Sequence, residues 1–199
     1  MVNIEHLSYS NPVLDTKSLE VNLRNTSNGV IVEWNKFVSA ICQDSIRNTL
    51  LLDTIELHYK RGQTILYVSL RMEQIHAFAE HCRGLTTLNT KICTTKSMTN
   101  VANNDVAVHL STLLNTSEDS EGYDHTLDSK KIVLTTFHTV SKTKFKPFDV
   151  VLFSIPSTNI SEMLDYNPWM KTSKLIVVSD TNNVLCAQRN KMEFILQQQ

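Results

Sequence analysis

The fold is decided by the stretch TILYVSLRMEQIHAFAEHCRG, which spans residues 64–84. Its first part, residues 64–69, is a β-branched and nearly continuous apolar run bounded by polar residues, which is typical of a strand buried on both faces in a parallel sheet. Its second part, residues 72–82, places Ile75 and Ala79 on one helical face, and Gly84 is the kind of residue that ends a helix. The stretch therefore predicts a strand followed directly by a helix.

Working outward, three more apolar runs downstream predict strands. They lie at residues 131–135, 150–154 and 174–179, and a helical pattern follows at about residues 183–196. Connections of a dozen or more residues between such strands are typical of an open α/β sheet that is mostly parallel.

Upstream of the deciding stretch, residues 34–60 have the spacing of two helices. Asp44 and Ser45 stand before the second of them, and either side chain can accept hydrogen bonds from the free amide groups of a helix start. Gly62 follows its end, where glycine is the favoured residue. We therefore predict a helix pair that leads into the central strand.

The first 33 residues are rich in Asn, Ser and Thr and predict only short strands, with residues 19–23 and 30–32 forming a hairpin. We place residues 1–33 in an amino-terminal extension and residues 34–199 in the main domain. Within that domain, residues 111–130 are acidic and poor in apolar side chains, which predicts an exposed insertion.

Composition excludes two classes of protein. The 199 residues carry 19 Lys+Arg and 20 Asp+Glu, a net charge of -1, which excludes a globally basic nucleic-acid binder but leaves a local basic strip possible. Only 4 Gly occur, widely scattered, and neither G-x-x-x-x-G-K-[ST] nor G-x-G-x-x-G is present. A self-sufficient P-loop nucleotide hydrolase is therefore excluded.

The cysteines and the amino terminus bear on location. The 4 Cys form no C-x-x-C pair and lie in or beside apolar or helical stretches, which favours reduced thiols in an intracellular protein. The first residues have neither the basic nor the apolar region of a signal peptide, and the longest apolar runs are too short to span a membrane. We expect a cytosolic, nuclear or virion location, without secretion and without a membrane partner.

An ordered series of segments resembles a known family. Residues 44–55 (DSIRNTLLLDTI) and 61–71 (RGQTILYVSLR) resemble the beginning of the second RecA-like domain of superfamily 2 helicases, viral DNA helicases in particular. Residues 132–137 (IVLTTF), 148–156 (FDVVLFSIP) and 174–180 (KLIVVSD) resemble the later strands of that domain. The resemblance covers about residues 42–198 and implies a RecA-like open sheet with helices on both faces.

The chain departs from this family where ATP is handled. The acidic-Gly-x-Asp pattern of the fifth family motif is replaced by SKTKFK at residues 141–146, and the arginine-bearing sixth motif by SEMLDYNPW at residues 161–169. No arginine occurs between Arg83 and Arg189. An arginine finger contributes about 10³–10⁵-fold in rate, and a scattered lysine does not replace its bidentate fork. The first RecA-like domain, with its Lys loop and Asp-Glu metal motif, has no counterpart here, so we expect no enzyme activity, no catalytic residue and no cofactor.

The resemblance implies that some residues contact nucleic acid. Arg71 matches the position where the loop after the strand approaches the backbone, although a solvated arginine at a helix start has the same sequence. Thr135 and Thr136 end a strand where helicases offer a hydroxyl to a phosphate, and ordinary β-propensity explains them equally well.

A strip of lysines is the other nucleic-acid candidate. Lys142, Lys144 and Lys146 alternate along an extended stretch, with Phe145 between them as a ring on which a base could stack. Such a strip can follow a phosphate backbone, and the alternative is a solvated loop.

Three further features have alternative interpretations. Trp169 is a candidate partner contact, or packs against the last helix. Asp180 resembles a family residue at a strand end, or forms a turn. His76, His81 and Cys82 do not share a helix face and have no second cluster near them in sequence, so we predict no metal site.

These observations lead to one function and two alternatives. We expect a catalytically inactive helicase-like protein of a large DNA virus that acts as a docking or structural subunit, with other viral or complex proteins as partners, in the host cytoplasm or nucleus or in the virion. The first alternative is a single-stranded nucleic-acid-binding module that keeps the strand-facing surface of the helicase. The second is half of a split helicase, whose partner chain would have to supply the missing arginine.

Overall fold

The structure is a computed structural model of the chain. The parts of the chain that it describes are residues 2–10, 23–26, 29–32, 34–84, 90–93 and 132–198.

A parallel sheet forms the centre of the molecule. Its six described strands are ordered β1-β8-β7-β4-β6-β5, and each neighbouring pair is parallel. The strands are Asn3–Tyr9 (β1), Leu23–Thr26 (β2), Gly29–Val32 (β3), Ile65–Ser69 (β4), Thr90–Cys93 (β5), Ile132–Thr136 (β6), Val150–Phe153 (β7) and Lys174–Asp180 (β8). Strands β2 and β3 form a separate antiparallel hairpin. The predicted α/β fold, a RecA-like open parallel sheet, is confirmed.

Helices cover both faces of the sheet, as predicted. The helices are Trp34–Gln43 (α1), Ser45–Lys60 (α2), Met72–Gly84 (α3), Phe137–Val140 (α4), Ile160–Tyr166 (α5) and Asn183–Gln197 (α6), and a 3-10 turn spans Pro168–Lys171. Helices α1, α4, α5 and α6 pack on the first face, against residues such as Leu66 and Val133. Helices α2 and α3 pack on the second face, against residues such as Ile65 and Leu134.

The central strand-and-helix unit has the structure that its sequence predicts. Every residue of β4 is buried, because side chains of alternating direction enter the two core layers. On α3, Ile75, Phe78 and Ala79 are buried against the second face. The Tyr67 and Phe78 rings stack with their centroids 4.8 Å apart, which fixes how α3 lies across β4.

The predicted helix signals upstream of β4 are also confirmed. Asp44 is the N-cap of α2, and its Oδ1 accepts hydrogen bonds from the amides of Ile46 at 3.1 Å and Arg47 at 3.3 Å. Gly62 has a φ of 81°, a left-handed conformation that a glycine adopts without steric cost. The chain can therefore turn sharply from α2 into β4.

The amino-terminal region is more closely joined to the domain than the sequence indicates. Residues 29–32 form a hairpin with residues 23–26, while the remainder of the predicted first strand, residues 19–22, lies outside the described residues. Strand β1, however, is an edge strand of the main sheet, parallel to β8 along its whole length. Lys174 forms an ion pair with Glu5 across this edge. A boundary at residue 33 thus separates β1 from the sheet to which it belongs.

One part of the fold was not predicted from the sequence, and one predicted feature falls outside the described residues. The short helix α5 and the following 3-10 turn were not predicted, because seven and four residues are too few for a clear helical period. The predicted acidic insertion at residues 111–130 lies outside the described residues.

Asn167 holds the long connection between β6 and β7 against the first face. Its side chain is completely buried. Its Oδ1 accepts a hydrogen bond from the Phe145 amide at 2.7 Å, and its Nδ2 donates to the carbonyls of Val140 and Thr143, both at 2.9 Å. One side chain thus satisfies three backbone groups, one at the end of α4 and two in the loop that follows it.

We predict that Asn167→Ala lowers the free energy of unfolding by about 2–4 kcal/mol, because three buried backbone groups lose their partners. Urea denaturation of the purified protein measures the change. Asn159→Ala is the matched control, since Asn159 is exposed, its side chain makes no capping hydrogen bond, and its loss should cost at most about 0.5 kcal/mol. Equal losses in the two variants would contradict the role of Asn167.

Candidate functional site

The carboxyl ends of the parallel strands meet at one edge of the sheet. Ser69 lies opposite Thr136, and Tyr9 lies opposite Asp180. The helix after β4 packs on the second face, whereas those after the neighbouring strands β6 and β7 pack on the first face. A crevice forms where the connections diverge in this way, and it is the usual position of a ligand site in open α/β sheets.

An open cleft of about 850 Å³ lies beside the carboxyl end of β4, between α1 and the start of α3. Most of the residues that line it have polar side chains, although their apolar atoms contribute much of its surface. The lining residues are Asn35, Lys36, Ser39, Ala40, Cys42, Gln43, Asn48, Arg71, Glu73, Gln74 and Ala77.

A chain of hydrogen bonds forms the floor of the cleft. The Ser69 hydroxyl donates to Gln74 Oε1 at 2.6 Å, and Gln74 Nε2 donates to Asn48 Oδ1 at 2.8 Å. Asn48 Nδ2 in turn donates to the Cys42 carbonyl at 2.8 Å. The end of β4 and the helices α1, α2 and α3 are thereby joined, and the floor is rigid.

Arg71 stands at the rim of the cleft, half-buried. Its amide donates to Ser69 Oγ at 3.1 Å, and its Nη2 donates to the Asn35 carbonyl at 2.9 Å and to Asn35 Oδ1 at 3.2 Å. The guanidinium therefore ties the start of α3 to the first turn of α1. Its charge lies at the rim of the cleft, but one of its nitrogens is already used to hold α1.

A buried ionic cluster lies behind the cleft, across the ends of β1, β7 and β8. The Arg47 side chain has 0% exposure, forms an ion pair with Asp180, and donates from Nη2 to the Ser154 carbonyl at 2.7 Å. Its guanidinium carbon lies 5.4 Å from the centroid of the Tyr9 ring, within range of a cation–π interaction. The Tyr9 hydroxyl donates to Asp44, the N-cap of the same helix. The cluster fills this half of the carboxyl edge with the protein's own charges.

Burial raises the pKa of two ionisable side chains near the cleft and the ionic cluster, Cys42 and Tyr67. Desolvation raises the pKa of the Cys42 thiol to about 11, although the charges of Arg71 and Arg47 act in the opposite direction. Desolvation also raises the pKa of Tyr67 well above its ordinary value. The Tyr67 hydroxyl is close to Ser69 and Ser154 but makes no hydrogen bond of normal geometry with a described residue. Cys42 therefore remains a neutral thiol at pH 7 and is not an activated nucleophile.

The nucleic-acid candidates at the strand ends are only partly exposed. Arg71 and Thr136 follow neighbouring strands and lie at the same edge. Thr135 is completely buried. Thr136 is the N-cap of α4, and its Oγ1 accepts a hydrogen bond from the Thr139 amide at 3.2 Å. Of these three residues, Arg71 alone presents a charged group to the cleft.

The lysine strip runs away from that edge. Lys142, Lys144 and Lys146 are all exposed. Their loop continues to Asp149, whose carbonyl accepts a hydrogen bond of 3.0 Å from the amide of Lys174, the first residue of β8. The loop therefore reaches the amino end of β8. Phe145 is 1% exposed within the first core layer, so the prediction that its ring is available for base stacking is wrong.

Trp169 is built into the packing of the first face. It is half-buried, its Nε1 donates to the Phe145 carbonyl at 2.9 Å, and its ring centroid lies 5.7 Å from that of Phe148. These contacts are with the β6–β7 connection. The predicted role of Trp169 as a partner contact stays a prediction.

Sequence reasoning missed the ionic cluster. Asp180 is buried in an ion pair, whereas the sequence indicated a turn former or a family-type strand end. A signal for Arg47 was present, because it lies four and eight residues before the buried Leu51 and Ile55 and so shares their helix face. A cation on a buried helix face requires a buried partner. The sequence around Arg47 does not show that this partner is Asp180.

Other site types find no support in the described part of the chain. No group of three or more His, Cys, Asp or Glu there could hold a metal ion. None of the helices described is both long enough and apolar enough to cross a membrane. Neither a protein-family model nor a curated protein sequence matches the chain.

We predict that Arg47→Met destabilises the fold by about 3–5 kcal/mol, because it leaves Asp180 buried without its cation. Arg47→Met combined with Asp180→Asn should be less destabilising than the sum of the two single variants, since both charges are then removed together. Chemical denaturation measures all three. Arg61→Met is the control, because Arg61 is exposed at the end of the same helix. A double variant that shows strictly additive losses would contradict a direct coupling.

Proposed function

We propose that the chain is a catalytically inactive helicase-like protein that acts as a docking or structural subunit of a viral assembly or virion. The RecA-like sheet is the fold expected from the motif series, and the viral setting rests on the resemblance of that series to viral DNA helicases. The proposal assigns the RecA-like sheet to protein association rather than to ATP turnover.

The observation that carries the proposal is the structural role of residues 161–169. The resemblance aligns this segment with the arginine-bearing helicase motif, and here its side chains hold the fold together. Met163 and Leu164 are buried on the first face, and Asn167 and Trp169 bind the β6–β7 connection. A segment committed in this way has no cation to direct at a transferring phosphoryl group.

The carboxyl edge supports the same proposal. RecA-like domains that handle nucleotides need free polar groups at the strand ends, and here Arg47, Asp180 and Thr136 are all engaged within the protein. The 4 Gly of the chain provide no run of successive backbone amides for phosphates. This edge therefore supports the fold rather than chemistry.

We predict that the purified chain does not hydrolyse ATP, with or without single-stranded DNA. Release of inorganic phosphate is the measurement, and the double variant Arg71→Met/Lys142→Gln is the control, since it removes the half-buried cation beside the cleft and an exposed cation of the lysine strip. Phosphate release by the wild type that exceeds release by this control would contradict the inactive function.

A second function is favoured by a separate observation. Arg71 stands beside an open polar cleft, and Lys142, Lys144 and Lys146 are exposed along one loop. Cations in this arrangement can bind a phosphate backbone without reading its sequence. The second candidate is therefore a single-stranded nucleic-acid-binding module.

If this second function holds, single-stranded DNA should bind at about 50 mM salt and dissociate at about 200 mM, as followed by fluorescence anisotropy. Replacing Lys142, Lys144 and Lys146 with Gln should lower the slope of log affinity against log salt by about 2, at about 0.7 per lost single-strand phosphate contact. A triple Gln variant at Lys60, Lys171 and Lys191 is the control with the same net charge. An unchanged slope would remove the lysine strip from the site, and no binding at either salt would favour docking.

A further inference from the structure

Helix α2 carries an apolar stripe on the side that faces away from the sheet. Ile46 is 64% exposed and Leu57 is 47% exposed, while Leu50 between them is half-buried. At about 100° per residue, Ile46, Leu50, Asp53 and Leu57 lie within about 60° of one another around the helix axis. We call these four residues the α2 stripe. It runs for about 16 Å, or three turns.

Leu50 packs partly against the second core layer, whereas Ile46 and Leu57 are mostly exposed and contribute little to holding the helix on the sheet. Leu51, Ile55 and Tyr59 form the buried face, and they are centred well over 100° from the stripe around the same helix. A surface helix usually places polar residues on the side that is not buried. Ile46 and Leu57 on the outer side depart from this pattern and offer an apolar surface on which a partner can pack.

The other exposed large apolar residues do not form a comparable surface. Tyr166 is 43% exposed at the end of α5, and Phe194 is 59% exposed on α6. Each stands on a different element without a second exposed large apolar residue on the same helix among those described. Isolated residues of this kind are common on protein surfaces. The α2 stripe is distinct because its members repeat at helical spacing.

The charge within the α2 stripe identifies the kind of partner. Asp53 is exposed and makes no ion pair or hydrogen bond with the residues that the structure describes. The neighbouring Glu56 is already paired with Lys60 at 2.6 Å. In a second copy packed antiparallel, the two Asp53 carboxylates would approach near the middle of the contact and repel each other. A cation on a different protein would instead be attracted to Asp53.

We propose that the α2 stripe docks an amphipathic helix of another protein, with Lys or Arg in the middle of its apolar face opposite Asp53. Two helices pack by placing the ridge of one into the groove of the other, and residues four apart, such as Ile46 and Leu50, form such a ridge. The cation would set the register of the helix pair, as charged residues beside apolar seams do. This proposal rests on the proposed docking function and names the surface that performs it.

Two labelled synthetic peptides test the proposal with the full chain. Both are amphipathic helices of about four turns with a leucine face, and they differ only in the central residue of that face, Lys in one and Glu in the other. Anisotropy titrations should show that the Lys peptide binds at least about tenfold more tightly. Ile46→Glu and Leu57→Glu should each weaken this binding at least about tenfold, whereas Asp53→Lys should reverse the preference in favour of the Glu peptide.

Phe194→Glu is the matched control, because it places the same charge at an equally exposed apolar site on another helix. Circular dichroism of each variant checks that the fold is kept.

Reversal of the peptide preference by Asp53→Lys, with no effect of Phe194→Glu, would support the proposal. Equal affinity for the two peptides, no binding of either, or an equal loss in Phe194→Glu would overturn it. So would a wild-type dimer in light scattering that Ile46→Glu dissolves, since a second copy would then be the occupant. None of these outcomes bears on ATP hydrolysis, so the stripe can fail while the inactive function stands.

Discussion

A guanidinium without access to solvent is the constraint on which the carboxyl edge of the sheet depends. Arg47 enters from the first turn of α2 and must be neutralised inside the protein, since burying an unpaired charge costs several kcal/mol. Its contacts with Asp180, the Ser154 carbonyl and the Tyr9 ring join the ends of β8, β7 and β1. The edge strand β1 is thus held at its far end by the same cation that orients α2.

This arrangement divides the carboxyl edge into two halves with different properties. On one side the ionic cluster is closed and its polar groups are directed at each other. On the other, the ends of β4 and α3 border an open polar cleft with Arg71 at its rim. Burial also keeps the Cys42 thiol protonated between the two halves, because its pKa is raised to about 11. Arg47, Asp180 and Thr136 at this edge are thus engaged in contacts within the protein.

The elements that were predicted correctly are those with local signals. Strand β4 is continuous in apolar residues, Asp44 is a capping residue in a capping position, and Gly62 follows a helix end, so neighbours in sequence sufficed for each. The sequence indicates no strand at residues 3–9, which fall within the predicted extension, because an edge strand is only half-buried and its apolar pattern is weak. The prediction that the Phe145 ring is free to stack on a base is wrong because the ring is buried. An alternating Lys-Phe-Lys sequence does not show whether the protein covers the ring.

The sequence by itself determined the α/β class, the parallel strands and the absence of the two glycine-rich phosphate-binding motifs, because these depend on residue types and on periods within short windows. Tertiary structure decided the rest. The pairing of Arg47 with Asp180 joins residues that are 133 positions apart, and no local pattern relates them. The same holds for Asn167 and the β6–β7 connection, where the partners are backbone groups without a signature of their own. These pairings are required by burial. A polar group needs a partner within the protein once folding has removed it from water.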